Sequence, residues 1–232
     1  MLQRLAIDRG AILYDPSRVA HPGAQLFDPA YWRARNALRE FPAGRGSIQL
    51  IEDQGRSWVL RRYLRGGFAA RFAHDRYLWL GEDRTRSFQE LRLLATLHAR
   101  GLPVPPPVAG RYLKAALTYR ADLITERLPG ARSMEAVLAA GPLDDARWEA
   151  IGRCLRRFHD AGVHHADLNA RNIMLGERGE VWVLDFDRGR LRTPGEWRSR
   201  VLDRLARSLD KSEAGVGDWQ AGFGRLRRAH DA

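Results

Sequence analysis

The stretch 164–187, HHADLNARNIMLGERGEVWVLDFD, limits what this chain can fold into more than any other. Two apolar runs, Ile173-Met174-Leu175 and Val181-Trp182-Val183-Leu184, flank a turn marked by Gly176 and Gly179, so the segment reads as a short β-hairpin. Its ends are polar. Asp167 and Asn172 precede the first strand, and Asp185 follows the second. Closing the hairpin brings both ends together, which sets an amide and two carboxylates on the rim of an apolar core. A carboxylate directly after a buried strand is costly unless it is bound to something. Oxygen donors of this kind suit Mg²⁺, which usually takes one or two protein carboxylates beside substrate phosphates. Asp167 remains for the proton, as a carboxylate that accepts it from an attacking hydroxyl.

The segments before and after this hairpin differ in type. The stretch 43–63 alternates like a second hairpin and turns at Asp53-Gln54-Gly55. Residues 84–101 form a helix by the spacing of Leu91, Leu94 and Leu97, and Gly101 stops it. The proline run LPVPPPV then forces an extended passage, and 110–128 reads as two more strands. A second amphipathic helix covers 144–162, with Trp148, Ile151, Leu155 and Phe158 on one stripe and Gly162 at its end. A final amphipathic helix, roughly 196–210, leads into a basic tail. Strands with one helix therefore give way, near 126–133, to mostly helix. This order predicts two unequal lobes with a cleft between them, the usual place for a small-molecule site.

At 232 residues and 44% apolar, the chain can bury a real core. Cys154 is its only cysteine, so an internal disulfide is excluded and a cytosolic compartment is expected. It stands on a helix with no partner at metal-ligand spacing, and neither His164 nor His165 supplies one, which argues against a zinc site. No signal peptide is read at the N-terminus, and no run approaches the roughly 18 apolar residues a membrane span needs. Lys plus Arg number 39 against 28 acids, a formal +11, and only Lys114 and Lys211 are lysines. Such a surface calls for an anionic partner: nucleic acid, anionic lipid or a phosphorylated substrate.

Other features are weak when taken singly. Gly44, Gly46 and Ser47 lie where one strand turns into the next, and small residues there let backbone N–H groups approach an anion. Arg61 and Arg62 fall on opposite faces of the following strand. Glu90 completes a capping box that Ser87 opens; it would alternatively pair with the strand arginine.

Together, HADLNARN and the DFD thirteen residues after Asn172 resemble the catalytic loop and metal-binding aspartate of protein kinases. The resemblance runs from the Gly-rich turn to about 187 and implies an α+β, two-lobed, protein-kinase-like fold. A small antiparallel N-terminal lobe with one main helix would span 1–128, and a short, mostly helical C-terminal lobe 129–232. Position by position, the resemblance assigns Gly44, Gly46 and Ser47 to the phosphate-covering loop and Glu90 to the helix glutamate. Asp167 takes the place of the catalytic aspartate, Asn172 and Asp185 of the Mg²⁺ ligands, and Glu126 and Leu128 lie in the hinge that meets adenine. His165 opens the catalytic loop, where it supports the backbone.

Three departures matter. The lysine that grips the nucleotide phosphates is missing from its strand, so Arg61, or failing that Arg62, must replace it with the same charge and a different shape. Twenty-nine positions separate Arg61 from Glu90, and the inserted segment is basic and aromatic. Only six residues lie between Asp187 and Pro194, too few for the platform that holds a peptide substrate. A small molecule or lipid headgroup fits better.

The set RRYLRGG, RSFQELRLLATLHARGLPVP, HHADLNARNIML and LDFDRGR is similar to the bacterial 3-deoxy-D-manno-octulosonic acid (Kdo) kinases. That resemblance implies ATP and Mg²⁺ as cofactors and phosphorylation of the 4-hydroxyl of a lipid-linked Kdo sugar. It also implies a peripheral position on the cytoplasmic face of the inner membrane. The arginines and aromatics of 61–79 and the basic C-terminal helix are the candidates for substrate and anionic-membrane contact, and no nucleic-acid or protein partner is implied. The rival readings are a heptose or antibiotic kinase of the same fold, a protein kinase, and a basic nucleic-acid-binding module. Against the last, aromatic and basic residues are not interleaved in any recognisable nucleic-acid motif.

Overall fold

The computed structural model describes residues 1–43, 46–64, 75–193, 195–211 and 219–232. They form two compact units, one made of 1–96 with 106–127, the other of 97–105 with 128–232.

The first unit is built on one antiparallel sheet of β1 (Gln3–Ile7), β2 (Gly10–Tyr14), β3 (Leu38–Ala43), β4 (Gly46–Asp53), β5 (Arg56–Arg62), β6 (Tyr77–Leu78), β7 (Pro107–Ala115) and β8 (Thr118–Glu126). The strand order is β1-β2-β7-β8-β5-β4-β3, and β6 also pairs with β8. The β4–β5 hairpin closes through Gln54 and Gly55, both at positive φ (48° and 77°), with Asp53 opposite Arg56. Two left-handed residues give the turn whose twist matches the flanking strands. Pro42, which lacks an N–H, lies in β3 at the sheet edge, where the missing donor breaks no interior ladder.

Ile12, Trp32, Ile51, Trp58, Leu60, Val108 and Ile124 form the core of this unit. Two helices accompany the sheet, the short α1 (Pro29–Ala34) and the longer α2 (Arg86–Ala99), with Leu91, Leu94 and Leu97 buried as their spacing predicts. Strands β1, β2 and β3 go beyond the two hairpin strands and the 110–128 pair expected from sequence. The β1–β2 turn runs through Arg9 at φ 59°, so no glycine fills its left-handed position. Gly10 serves a different need: a Cβ there would meet Tyr112 O at 2.0 Å, which β2 could not tolerate beside β7.

The second unit contains β9 (Arg132–Ser133), α3 (Met134–Ala140), α4 (Asp145–Asp160), β10 (Val163–His164), β11 (Ile173–Leu175), β12 (Val181–Val183), β13 (Arg190–Leu191), α5 (Trp197–Asp210) and α6 (Gln220–Asp231). Residues 97–105 join it through Arg157 Nη2 donating to Gly101 O (2.7 Å) and Val183 N to Pro103 O (3.0 Å). Asp144 caps α4 by accepting from Arg147 N at 2.7 Å. The stripe Trp148, Ile151, Leu155 and Phe158 is buried, worth about 1.5–3 kcal/mol per side chain.

The basic tail expected after 210 is corrected by the structure, which shows α6, an amphipathic helix packed on α4. Phe223, Leu226 and His230 are buried, an i, i+3, i+7 stripe that Arg225, Arg227 and Arg228 obscure in the sequence. Two glycines permit the close approach. A Cβ on Gly152 would meet Leu226 O at 2.2 Å, and one on Gly222 would meet Trp148 Nε1 at 2.1 Å. At the far end, His159 Nδ1 lies 2.7 Å from His230 Nε2, and His230 Nδ1 2.7 Å from Asp231 Oδ1.

Gly152→Val should therefore destabilise the chain by about 1–3 kcal/mol or more, because a backbone oxygen cannot turn aside. Gly224→Ala, where the nearest atom is the Arg228 Nη1 tip at 3.6 Å, should be neutral or gain up to about 1 kcal/mol of helix propensity. Paired thermal melts check both; a Gly152→Val chain as stable as the parent would disprove the close α4–α6 packing.

Candidate active site

In the first unit, the alternation of β5 sends Arg61 and Arg62 to different carboxylates. Arg61 Nη2 reaches both oxygens of Glu90 at 2.6 Å, and its guanidinium lies 5.0 Å over the Tyr63 ring. The Tyr63 hydroxyl donates to the same carboxylate. Glu90 is 3% exposed, whereas the Arg61 side chain is 34% exposed. A buried anion thus holds one end of a cation that keeps access to solvent. Arg62 goes instead to Asp122 (Nε to Oδ1, 3.0 Å), whose other oxygen takes Arg111 Nη2 at 2.6 Å.

The Ser87–Glu90 capping box is not formed. Ser87 sits inside α2 and its hydroxyl donates to Arg111 O at 2.9 Å, while the Glu90 carboxylate is engaged with β5. Tyr63 and Tyr77, counted with the aromatics expected to meet substrate, are core residues. Gly44 and 65–74 lie outside the described residues. Gly46 and Ser47 open β4, facing Ala43 and Pro42 of β3. Glu126 ends β8; its N–H donates to Pro106 O (2.9 Å) and its carboxylate pairs with Arg18. The Leu128 N–H has no hydrogen-bond partner among the described residues.

In the second unit, a closed ring of hydrogen bonds joins Asp167, Asn172, His165 and Leu184, the residue before Asp185. Asn172 Nδ2 donates to Asp167 O at 3.0 Å. Leu184 N, just before Asp185, donates to Asn172 O at 2.8 Å. His165 Nε2 lies 2.8 Å from Leu184 O, and Asp167 N donates to His165 Nδ1 at 3.2 Å. These two contacts define the imidazole as neutral, with its proton on Nε2. Its ring centroid lies 5.0 Å from that of Phe186, the two rings tilted by 59°, and Phe186 stacks on Phe158 of α4 at 5.7 Å. Asp185 itself sits at φ 61°, a left-handed conformation uncommon outside glycine and more easily tolerated by Asp. His164 packs edge-on against Trp197, consistent with local packing.

Two participants escaped the sequence reading. Asn169 Nδ2 donates to Asp167 O at 2.9 Å and its Oδ1 accepts from Arg171 N, so it shapes the same loop. Its signal was a second Asn in the loop, a residue suited to bonding its own backbone two positions on. Arg204 of α5 reaches Asp167 Oδ1 with Nε at 3.0 Å and with Nη2. A helix 37 positions away carried no local signal for it.

Among the described residues, no group of three or more His, Cys, Asp or Glu side chains gathers as a metal cage. The donor set of Asn172 and Asp185 nonetheless fits a hard cation that keeps other ligands. With Nδ2 committed to Asp167 O, the Asn172 amide offers its oxygen, and Asp185 offers a carboxylate.

Burial holds the His165 pKa below its ordinary value of 6.5, and burial with the neighbouring His230 drives His159 down to about 3. The unfolded chain takes up protons at these positions below 6.5 and the folded chain does not. Stability should therefore be complete above that pH and fall as the medium is acidified, by up to about 1.4 kcal/mol per pH unit for each histidine. Urea unfolding between about pH 7.5 and about pH 5 reads this slope, and His159→Asn should make it shallower. A slope that His159→Asn leaves unchanged would refute the assignment.

The chain matches the model of the "Lipopolysaccharide kinase (Kdo/WaaP) family" over residues 29–223. It is 48% identical to a 3-deoxy-D-manno-octulosonic acid kinase of Stenotrophomonas maltophilia (strain K279a) over 226 residues, 96% of this chain and 90% of the relative. It is 47% identical, with the same coverage, to proteins of that name from Xylella fastidiosa (strain 9a5c) and Xanthomonas axonopodis pv. citri (strain 306). The hydrogen-bonded ring around Asp167, the Arg61–Glu90 pair and similarity across nearly the whole length agree: this chain belongs to the lipopolysaccharide kinase (Kdo/WaaP) family.

Proposed function

We propose that this chain transfers the γ-phosphoryl group of ATP to the 4-hydroxyl of a Kdo sugar on a lipid A precursor. The observation that carries the reading is the ring through His165, Asp167, Asn172 and Leu184, with Asp185 next in the chain, found in a chain whose relatives bear the name of that kinase. In the transfer, the acceptor oxygen forms a bond to the γ-phosphorus as the bond from that phosphorus to the β,γ-bridging oxygen breaks. ADP departs, and the hydroxyl proton passes to Asp167. Positioning and charge neutralisation supply most of the rate in such a reaction. Asn172 and Asp185 would hold Mg²⁺, which supplies charge neutralisation on the phosphates.

The remaining roles divide between the lobes 1–128 and 129–232. Arg61, steadied by Glu90, takes the lysine's place as the phosphate-holding cation, and Gly44, Gly46 and Ser47 bring backbone N–H groups to the phosphates. The Glu126 carbonyl and the Leu128 N–H, which has no partner among the described residues, serve adenine. Asp167→Asn should lower transfer to a Kdo-bearing lipid A precursor by about 10²–10⁴-fold while ATP binding persists. Wild-type protein that phosphorylates only heptose-bearing acceptors would sink the substrate assignment, and an active Asp167→Asn chain would sink the mechanism.

The same lipid substrate favours a peripheral position on the cytoplasmic face of the inner membrane. Among the described residues no helix is long and apolar enough to cross a membrane. Leu78, Leu80 and Leu117 are 65%, 65% and 80% exposed around the β7–β8 turn, where Trp79 N donates to Leu117 O and Lys114 Nζ sits 5.0 Å over the Trp79 ring. Leucines beside a cation suit an anionic bilayer surface. The double change Leu78→Ser, Leu117→Ser should weaken co-sedimentation with anionic vesicles by about tenfold and leave turnover of detergent-dispersed acceptor unchanged. Equal binding by parent and variant would remove this face from consideration.

A further inference from the structure

Arg204 and Ser208 stand four residues apart on α5, hence on one face of the helix, and both touch the Asp167 loop. The Ser208 hydroxyl accepts from Ala170 N at 3.1 Å and donates to Leu205 O at 2.7 Å, which sets the helix in register with the loop. One turn earlier, Arg204 brings Nε and Nη2 to the same oxygen of Asp167, Oδ1. This is not the two-by-two fork that an arginine and a carboxylate make when each satisfies the other. Oδ2 of Asp167 has no partner among the described residues, and neither has Nη1 of Arg204. The two side chains are 55% and 49% exposed. A pair this open contributes little to folding and exchanges readily with solvent or ligand.

We propose that Arg204 is the carboxylate-binding residue of the acceptor subsite. It takes the acid group of the sugar on its unused N–H face while Asp167 Oδ2 receives the hydroxyl to be phosphorylated. The inference rests on the function proposed above, and it deepens that function by naming what distinguishes an acidic sugar from a neutral one. A neutral hexose or heptose offers Arg204 no anion. A sugar acid joins the Arg204–Asp167 pair as a second carboxylate on the same guanidinium, so the charge of the acceptor is read beside the base that activates it. Ser208 fixes the helix backbone that carries Arg204 against the loop, so the guanidinium reaches an acid group only within the side chain's length of Asp167.

The test compares wild type, Arg204→Gln and Arg204→Lys on two acceptors: the Kdo-bearing lipid A precursor and the same lipid with the Kdo carboxylate methyl-esterified. On the acid, Arg204→Gln should raise the acceptor KM about 10- to 100-fold with the ATP KM unchanged, the loss associated with one charge-assisted contact. Arg204→Lys should recover most of it. On the ester, wild type and Arg204→Gln should differ by less than about threefold, because the contact is already gone. Equal losses on acid and ester would show that Arg204 only braces the loop, and undiminished use of the acid by Arg204→Gln would show that it reads nothing; either result overturns the proposal. A wild-type protein that phosphorylates neither acceptor would overturn it together with the Kdo assignment, an outcome distinct from the other two.

Discussion

The hydrogen-bonded ring through His165, Asp167, Asn172 and Leu184 is the constraint on which the second unit depends. Each link joins backbone to side chain or backbone to backbone, so the ring fixes where the chain goes as well as where the functional groups lie. It ties the start of the loop to the end of the hairpin, and the neutral imidazole is both donor and acceptor in it. A protonated His165 would present N–H groups on both sides and lose the bond from Asp167 N. The apolar layer of Phe186 and Phe158 beneath the imidazole keeps it buried and therefore neutral. Packing, protonation and loop geometry support one another at this point.

A second constraint is charge. In a chain of formal +11, Glu90 and Asp122 are the buried carboxylates among the described residues, and each is answered by arginine. The two cases differ in the partners of the carboxylate. Asp122 is shared by Arg62 and the largely buried Arg111, whose guanidinium also lies 4.7 Å over Phe27; this cluster reads as structure. Glu90 takes Arg61 together with the Tyr63 hydroxyl; the Arg61 side chain is 34% exposed and that of Arg62 is 48% exposed, so partners and not exposure set the two arginines apart. The alternation of β5 separates the two roles, since neighbouring residues on a strand point to opposite faces.

Much of this was legible in the sequence. The leucines of α2, the apolar stripe of α4 and the β11–β12 hairpin follow from period and turn chemistry, and the polar ends of that hairpin pointed to the Asp167 loop. The misses have definite causes. Strands β1 and β2 meet at Arg9, a left-handed position that no glycine fills, and Asp8 and Gly10 beside it were too weak a turn signal to announce them. The hydrophobic stripe of α6 is diluted by arginines and glycines, and its need for Gly152 and Gly222 concerns another helix altogether. The capping box at Ser87 was chemically sound, but a buried carboxylate facing an arginine on β5 gains more from that charge than from one helix N–H.

By itself the sequence determined the residue types and spacings of the chemistry: a carboxylate, an amide and a second carboxylate around a short hairpin, with two arginines on a strand and a glutamate on a helix. These follow from local periodicity and from the cost of burying polar groups, which act within a few residues of each position. Only the tertiary structure decided which arginine meets which acid, that Arg204 comes to Asp167 from a helix far along the chain, and that α6 seals α4. Those choices depend on the register of strands and the contact faces of helices. Register and contact are set by packing the whole core, and no local stretch of sequence contains that information.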